Sequence, residues 1–117
     1  MDPSGMSPTP QLNVAEAIIK IQDGALLLDV RESNEWNAGH APEAVHVPMG
    51  ELASHLNRLD RAQEIVVICR SGRRSDDVAD ALRSLGFEAY NFAGGMQAWQ
   101  QAGRDVRTPA GEPGTVI

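Results

Sequence analysis

The sequence predicts an α/β domain built on a mostly parallel central sheet with helices on both faces. Short apolar runs of strand length alternate along the chain with segments of helical period. The clearest run, residues 64–68 (EIVVI), is β-branched and apolar after its first residue, which suits a strand covered on both faces. The length of 117 residues is that of one domain, and with 42% hydrophobic but only 4% aromatic residues, aliphatic side chains must fill its core.

Residues 1–11, with prolines at positions 3, 8 and 10, are expected to form a flexible N-terminal segment. Residues 104–117, rich in Pro, Gly and Thr, are expected to form a flexible C-terminal tail, leaving residues 12–103 as the folded domain. Asn13 followed by Glu16 reads as a capping box that opens a helix through Ala17, Ile18 and Ile21, with Gly24 placed to close it. Residues 25–30 (ALLLDV) have the length of a buried strand. Residues 33–38 make a brief helix stopped by Gly39, and residues 44–47 a short strand ended by Pro48. Leu52, Leu56 and Leu59 then fall at helical spacing.

The strand at 64–68 is expected at the centre of the sheet. Ser75 reads as the N-cap of the strongest helix, residues 75–85, with Asp76 and Asp77 in its first turn. Val78, Ala81, Leu82 and Leu85 line one face of that helix and Gly86 marks its stop. Residues 88–92 form a further strand, after which Gly94 and Gly95 turn the chain into a last helix carrying Met96 and Trp99 as core residues.

Composition narrows the function. Ten Lys and Arg against sixteen Asp and Glu give a net charge of -6, the wrong sign for a general nucleic-acid binder. A single cysteine, Cys69, cannot close an internal disulfide, and no Cys/His cluster has metal spacing, which excludes disulfide scaffolds and zinc fingers. Neither a metal nor an organic cofactor is expected. No apolar run reaches the ~18 residues of a membrane span, and the first ten residues lack the features of a secretory signal. These features read as a soluble cytoplasmic protein with no membrane partner.

The chemistry is concentrated where the best strand meets the best helix: Cys69, Arg70, Ser71, Gly72, Arg73, Arg74 and then Ser75. Ligands of parallel sheets bind beyond the carboxyl ends of the strands, so the one thiol occupies the expected position for a site. Gly72 frees the loop to curl its N–H groups into an anion-binding nest, and the following helix adds the positive end of its dipole. Three arginines within five residues oppose the acidic charge of the chain. An ordinary thiol of pKa about 8.5 is only roughly 3% ionised at pH 7, and all of these features favour the thiolate. An isolated cysteine is more often a buried core residue; it is the convergence of turn, arginines and helix start that marks Cys69 as reactive.

The chain resembles the single-domain rhodanese (thiosulfate sulfurtransferase-like) family over residues 14–102. The resemblance lies in Cys69-x-x-Gly72-x-Arg74-Ser75; in Leu28-Asp29-Val30-Arg31 with Glu35 and Trp36; in Gly39-His40-Ala41-Pro42 with Ala44 and Pro48; and in Gly94-Gly95-Met96 with Trp99. Glu43 stands where the family usually has glycine. The resemblance implies a Cys69 thiolate that takes a sulfane sulfur from a small anionic donor such as thiosulfate and passes it, through a persulfide, to cyanide or a thiol. A protein sulfur acceptor is a further candidate partner. The backbone amides of Arg70, Ser71, Gly72, Arg73, Arg74 and Ser75 would bind the donor, with one or more of the three arginines assisting.

Two alternatives stay open: a noncatalytic sulfur-carrier or interaction module, and a phosphatase or arsenate reductase. Related enzymes of the latter kind carry a loop longer by one residue, which favours sulfur here. Asp29 and Arg31 are assigned structural roles, including an ion pair with Glu32 or Glu35, and His40, His46 and His55 receive no acid–base role.

Overall fold

In the computed structural model, which describes residues 9–117, five strands form one sheet. They are β1 (Gln11–Leu12), β2 (Leu26–Asp29), β3 (Val45–His46), β4 (Ile65–Ile68) and β5 (Ala89–Phe92), in the spatial order β1-β5-β4-β2-β3. Each pairing is parallel, so the sheet is entirely parallel rather than mostly so. The helices are α1 (Val14–Gln22), α2 (Ser33–Ala38), α3 (Arg73–Ser84) and α4 (Gly95–Gln101), with a 3₁₀ helix, Met49–Arg58, between β3 and β4.

β4 is the central strand and all four of its residues are buried. Its side chains alternate between two cores, as the two-residue period of a strand requires. Ile65 and Val67 pack with Leu28 and Val30 under Leu52 of the 3₁₀ helix and Val78, Ala79 and Leu82 of α3. Val66 and Ile68 face the other way, with Leu27 and Phe92, against Ala17 of α1 and Met96 and Trp99 of α4. Helices therefore cover both faces. Asn13 and Glu16 form the expected capping box of α1, each side chain accepting the other's backbone N–H at 2.8 and 2.9 Å.

Four features differ from the sequence reading. The segment 49–58 is a 3₁₀ helix; the Ser54 hydroxyl and His55 Nδ1 both bond to the Glu51 carbonyl, at 2.8 and 2.9 Å, and draw it from the α-helical ladder. α3 begins at Arg73, with Gly72 rather than Ser75 as its N-cap. Residues 9–11 join the fold with Leu12: Thr9 is buried, and β1 docks beside β5 through the bonds of Asn91 N–H to Pro10 O (2.9 Å) and Ala93 N–H to Leu12 O (2.8 Å). A two-residue edge strand is too short to leave a pattern, and Pro10 is tolerated at such an edge. The first eight residues of the expected N-terminal segment lie outside the described residues.

The C-terminal segment 104–117 is also packed rather than loose. Val106 is buried, and Val116 lies against the core that holds Trp99. His40 and Arg107 exchange backbone hydrogen bonds at 2.8 and 2.9 Å, Thr115 N–H bonds to Ala38 O at 2.9 Å, and the Trp99 indole donates to Asp105 O at 2.8 Å. Its Pro and Gly residues serve a turn, closed by Thr108 N–H to Glu112 O (2.8 Å), so a composition that reads as disorder here encodes a reversal of the chain.

At the carboxyl end of β2, Asp29 and Arg31 form an ion pair with no exposed surface, bridged at 2.8–3.1 Å by three side-chain hydrogen bonds. Arg31 also donates to Gly39 O at 2.8 Å, tying β2 to the end of α2. Removing the carboxylate strands a buried cation, so Asp29→Ala is expected to cost about 3–5 kcal/mol of stability in urea unfolding.

Candidate active site

β4 ends at Ile68, and the next residue, Cys69, enters the loop that leads to α3. Gly72 takes φ 102° and ψ 0°, a left-handed conformation that turns the chain sharply into the helix. A Cβ there would also press on the Gly94 amide nitrogen at 3.0 Å. From behind, the first amides of α4 grip the loop: Met96 N–H donates to Cys69 O at 2.8 Å and Gln97 N–H to Arg70 O at 3.0 Å. This approach needs Gly95, where any Cβ would collide with those same two carbonyls.

With the carbonyls of Cys69 and Arg70 held toward α4, N–H groups of the loop face the thiol. Gly72 N–H lies 3.2 Å and Ser75 N–H 3.4 Å from Cys69 Sγ, and the Ser75 hydroxyl lies 3.2 Å from it. The Ser75 amide is one of the helix-start N–H groups that lack a partner within the helix. Cys69 itself has no exposed surface. Burial pushes its thiol pKa up, but the Ser75 hydroxyl and the Ser75, Gly72 and Ser71 amides together outweigh burial and hold it below the ordinary value. The sequence reading counted only favourable influences; burial is the opposing one.

The three arginines take different positions. Arg74 forks onto Glu35 of α2 through two bonds of 2.8 Å, which lowers the Glu35 pKa and ties α2 to the loop. Arg70 donates through Nε to Ile117 O at 2.9 Å, and its side chain is exposed. Arg73 is exposed at the first turn of α3. Ser71, Gly72 and Arg73, with Asp76, Asn91 and Gly94, line a recess of about 300 Å³ beside the loop; Cys69 does not reach it.

Sequence reasoning missed a polar chain behind the thiol. Ser75 Oγ lies 2.6 Å from Asn91 Oδ1, and Asn91 Nδ2 donates to Gln11 Oε1 (2.7 Å) and Gly72 O (3.1 Å). The available signal was a buried-strand asparagine beside the loop, because a buried amide requires partners. The expected pairing of Arg31 with Glu32 or Glu35 does not form: Arg31 pairs with Asp29 and Glu35 with Arg74.

His40 and His46 stack on Trp36 at centroid distances of 3.5 and 4.7 Å, and each bonds to a backbone carbonyl. His55 binds its own 3₁₀ helix. Glu43 requires no left-handed backbone, which accounts for its tolerance where glycine is usual. Among the described residues no group of three or more His, Cys, Asp or Glu side chains is arranged to hold a metal, and no helix is long and apolar enough to cross a membrane.

A loop of amides around a thiol at the carboxyl edge of a parallel sheet agrees with what comparison finds. The rhodanese-like domain model matches residues 13–102, and the chain belongs to that family. Over 82 residues it is 43% identical to the Bacillus subtilis (strain 168) protein named "Putative sulfurtransferase YtwF", covering 70% of this chain and 80% of that one. Over 74 residues it is 42% identical to "Putative sulfur carrier protein YrkF" of the same organism, covering 62% of this chain but only 40% of the relative. Among solved structures, a rhodanese-related protein from Thermoplasma volcanium superposes with a TM-score of 0.77 at 31% identity, covering 83% of this chain and 96% of that one. These relationships support a sulfurtransferase.

Glu35→Gln should remove the fork on Arg74 and, with the arginine partly exposed to screening solvent, cost about 1 kcal/mol at neutral pH. Because the Glu35 pKa is depressed in the fold, the stability it contributes is full above its ordinary value of 4.5 and is lost as pH falls through the lowered value. Urea unfolding of both proteins across this range is therefore expected to converge at acid pH.

Proposed function

We propose that this protein is a thiosulfate-type sulfurtransferase that works through a Cys69 persulfide in two half-reactions. The observation that carries this reading is the convergence of the Gly72 amide, the Ser75 amide and the Ser75 hydroxyl on the one thiol. A cysteine buried only for packing has no use for two amide N–H groups and a hydroxyl gathered around its sulfur.

In the first half-reaction the Cys69 thiolate attacks the outer sulfur of thiosulfate. A new S–S bond forms, the S–S bond of the donor breaks with its electron pair leaving on sulfite, and the enzyme keeps a singly charged persulfide. Cyanide or a thiolate then attacks the outer sulfur and returns Cys69 as thiolate. The amides of Arg70, Ser71, Gly72, Arg73, Arg74 and Ser75 hold the negative charge of donor and persulfide. Arg74 is committed to Glu35 through both terminal nitrogens, whereas Arg70 bonds to Ile117 O through Nε alone and Arg73 is exposed, so Arg70 and Arg73 are the cations assigned to the incoming dianion. No metal or organic cofactor takes part.

A sulfur-carrier role is the second reading, and the zero exposure of Cys69 favours it. A small acceptor reaches the sulfur only after the surrounding side chains give way, whereas a partner protein could open the site as it docks. Thiocyanate production from thiosulfate and cyanide distinguishes the two. A sulfurtransferase turns over repeatedly and loses all activity in Cys69→Ser with the fold retained by circular dichroism; a carrier loads sulfur from thiosulfate but turns over poorly with cyanide. An activity that survives Cys69→Ser would contradict both.

A further inference from the structure

The hydroxyl of Ser75 has one proton and two neighbours that could receive it, Cys69 Sγ at 3.2 Å and Asn91 Oδ1 at 2.6 Å. Which one receives it is decided by Asn91. The amide nitrogen of Asn91 is fixed by two acceptors, the Gly72 carbonyl at 3.1 Å and Gln11 Oε1 at 2.7 Å. Gln11 is oriented in turn, because its own amide nitrogen donates to Thr9 O at 3.1 Å and to Asp76 Oδ1 at 2.6 Å. Two main-chain carbonyls and one carboxylate thus set both amides, and Asn91 can present only its oxygen to Ser75. Two oxygens cannot sit at 2.6 Å without a proton between them, so at rest that proton belongs to Ser75 and points at Asn91.

The sulfur then faces a lone pair of Ser75 Oγ, and the neutral thiol, not the thiolate, completes the chain by donating S–H to Ser75. We propose that Asn91 is a positioning residue that acts through the Ser75 hydroxyl: it draws that hydroxyl away from Cys69, favours the thiol in the resting protein, and yields when Cys69 ionises. On ionisation the thiol proton leaves to solvent and the hydroxyl rotates from Asn91 to the thiolate. Once a sulfur is loaded, Sγ is a neutral divalent sulfur, the charge sits on the outer sulfur, and the hydroxyl returns to Asn91. Asn91 therefore favours the two states in which Sγ is uncharged, resting and loaded, over the free thiolate between them. This deepens the proposed function, since it takes Cys69 as the reactive thiol.

The charged groups around the cradle are Arg70 of the loop, Arg73, Arg74 and Asp76 of α3, Glu35 of α2, and the Asp29–Arg31 pair at the end of β2. β5 and the first turn of α4 present no charge there, their nearest members being Asn91, Phe92 and Met96. All these charges are unchanged in the substitutions below, so no shift comes from a lost charge, and the Ser75→Ala background separates the hydroxyl from the other bonds of Asn91.

The test is the pH titration of the ultraviolet thiolate absorbance, which one cysteine makes unambiguous and which needs no sulfur donor. Asn91→Ala frees the hydroxyl for the thiolate and is expected to lower the Cys69 pKa by about one unit, the effect of one hydrogen bond to a charged group. Ser75→Ala is expected to raise it, and adding Asn91→Ala to Ser75→Ala should change it no further. A merely structural asparagine would give a rise, or the same shift in both backgrounds, and either result overturns the proposal. Should Asn91→Ala fail to fold, the wild type decides: its S–H infrared stretch, below the thiol pKa, must lie at lower frequency than in Ser75→Ala. Equal frequencies overturn the proposal. Failure of sulfur transfer with the predicted titrations would instead refute the proposed function and leave the Asn91 assignment standing.

Discussion

The site depends on the grip of α4 on the loop that follows β4. Two hydrogen bonds, from Met96 N–H to Cys69 O and from Gln97 N–H to Arg70 O, hold the loop carbonyls on its outer side. Gly95 permits the contact by having no side chain, and Gly72 completes it by entering α3 with a left-handed turn. Only with the carbonyls drawn one way do amide N–H groups gather on the sulfur. The same two helices, α3 and α4, pack on opposite faces of the sheet, so the cradle is fixed to both cores at once.

This arrangement gives an acidic chain a local environment that favours negative charge on one sulfur. The net charge of -6 acts over distances at which solvent and salt screen it, whereas the amides and the hydroxyl lie within 3.4 Å of the sulfur. Burial raises the Cys69 pKa, and the hydrogen bonds outweigh it and bring it below the ordinary value. The arginines contribute less directly than their clustering suggests: Arg74 ties the loop to α2 through Glu35, and Arg70 is bonded to the C-terminal segment. Packing, ionisation and loop geometry are thus set by overlapping groups of residues.

Much of this was legible in the sequence because it rests on local rules. The Asn13–Glu16 box, the brief helix at 33–38, the β-branched run at the sheet centre and the one thiol following it each need only a short window. What escaped needed distant partners. Arg74 finds Glu35 across 39 residues, Asn91 finds Gln11 across 80, and Arg70 meets Ile117 across 47. The segment 104–117 looked loose because Val106 and Val116 gain a core only when the sheet already exists. Ser75 was read as a cap from its preference for helix starts; the turn at Gly72 moves the start back and releases the hydroxyl to Cys69 and Asn91.

The central claim is that Cys69 becomes a persulfide held by the loop amides, and intact mass spectrometry of the wild-type protein after brief exposure to thiosulfate tests it most directly. The account predicts a gain of one sulfur atom per chain, mapped to the peptide containing Cys69 and removed on adding cyanide. A folded, reduced protein whose mass does not change with thiosulfate would contradict it.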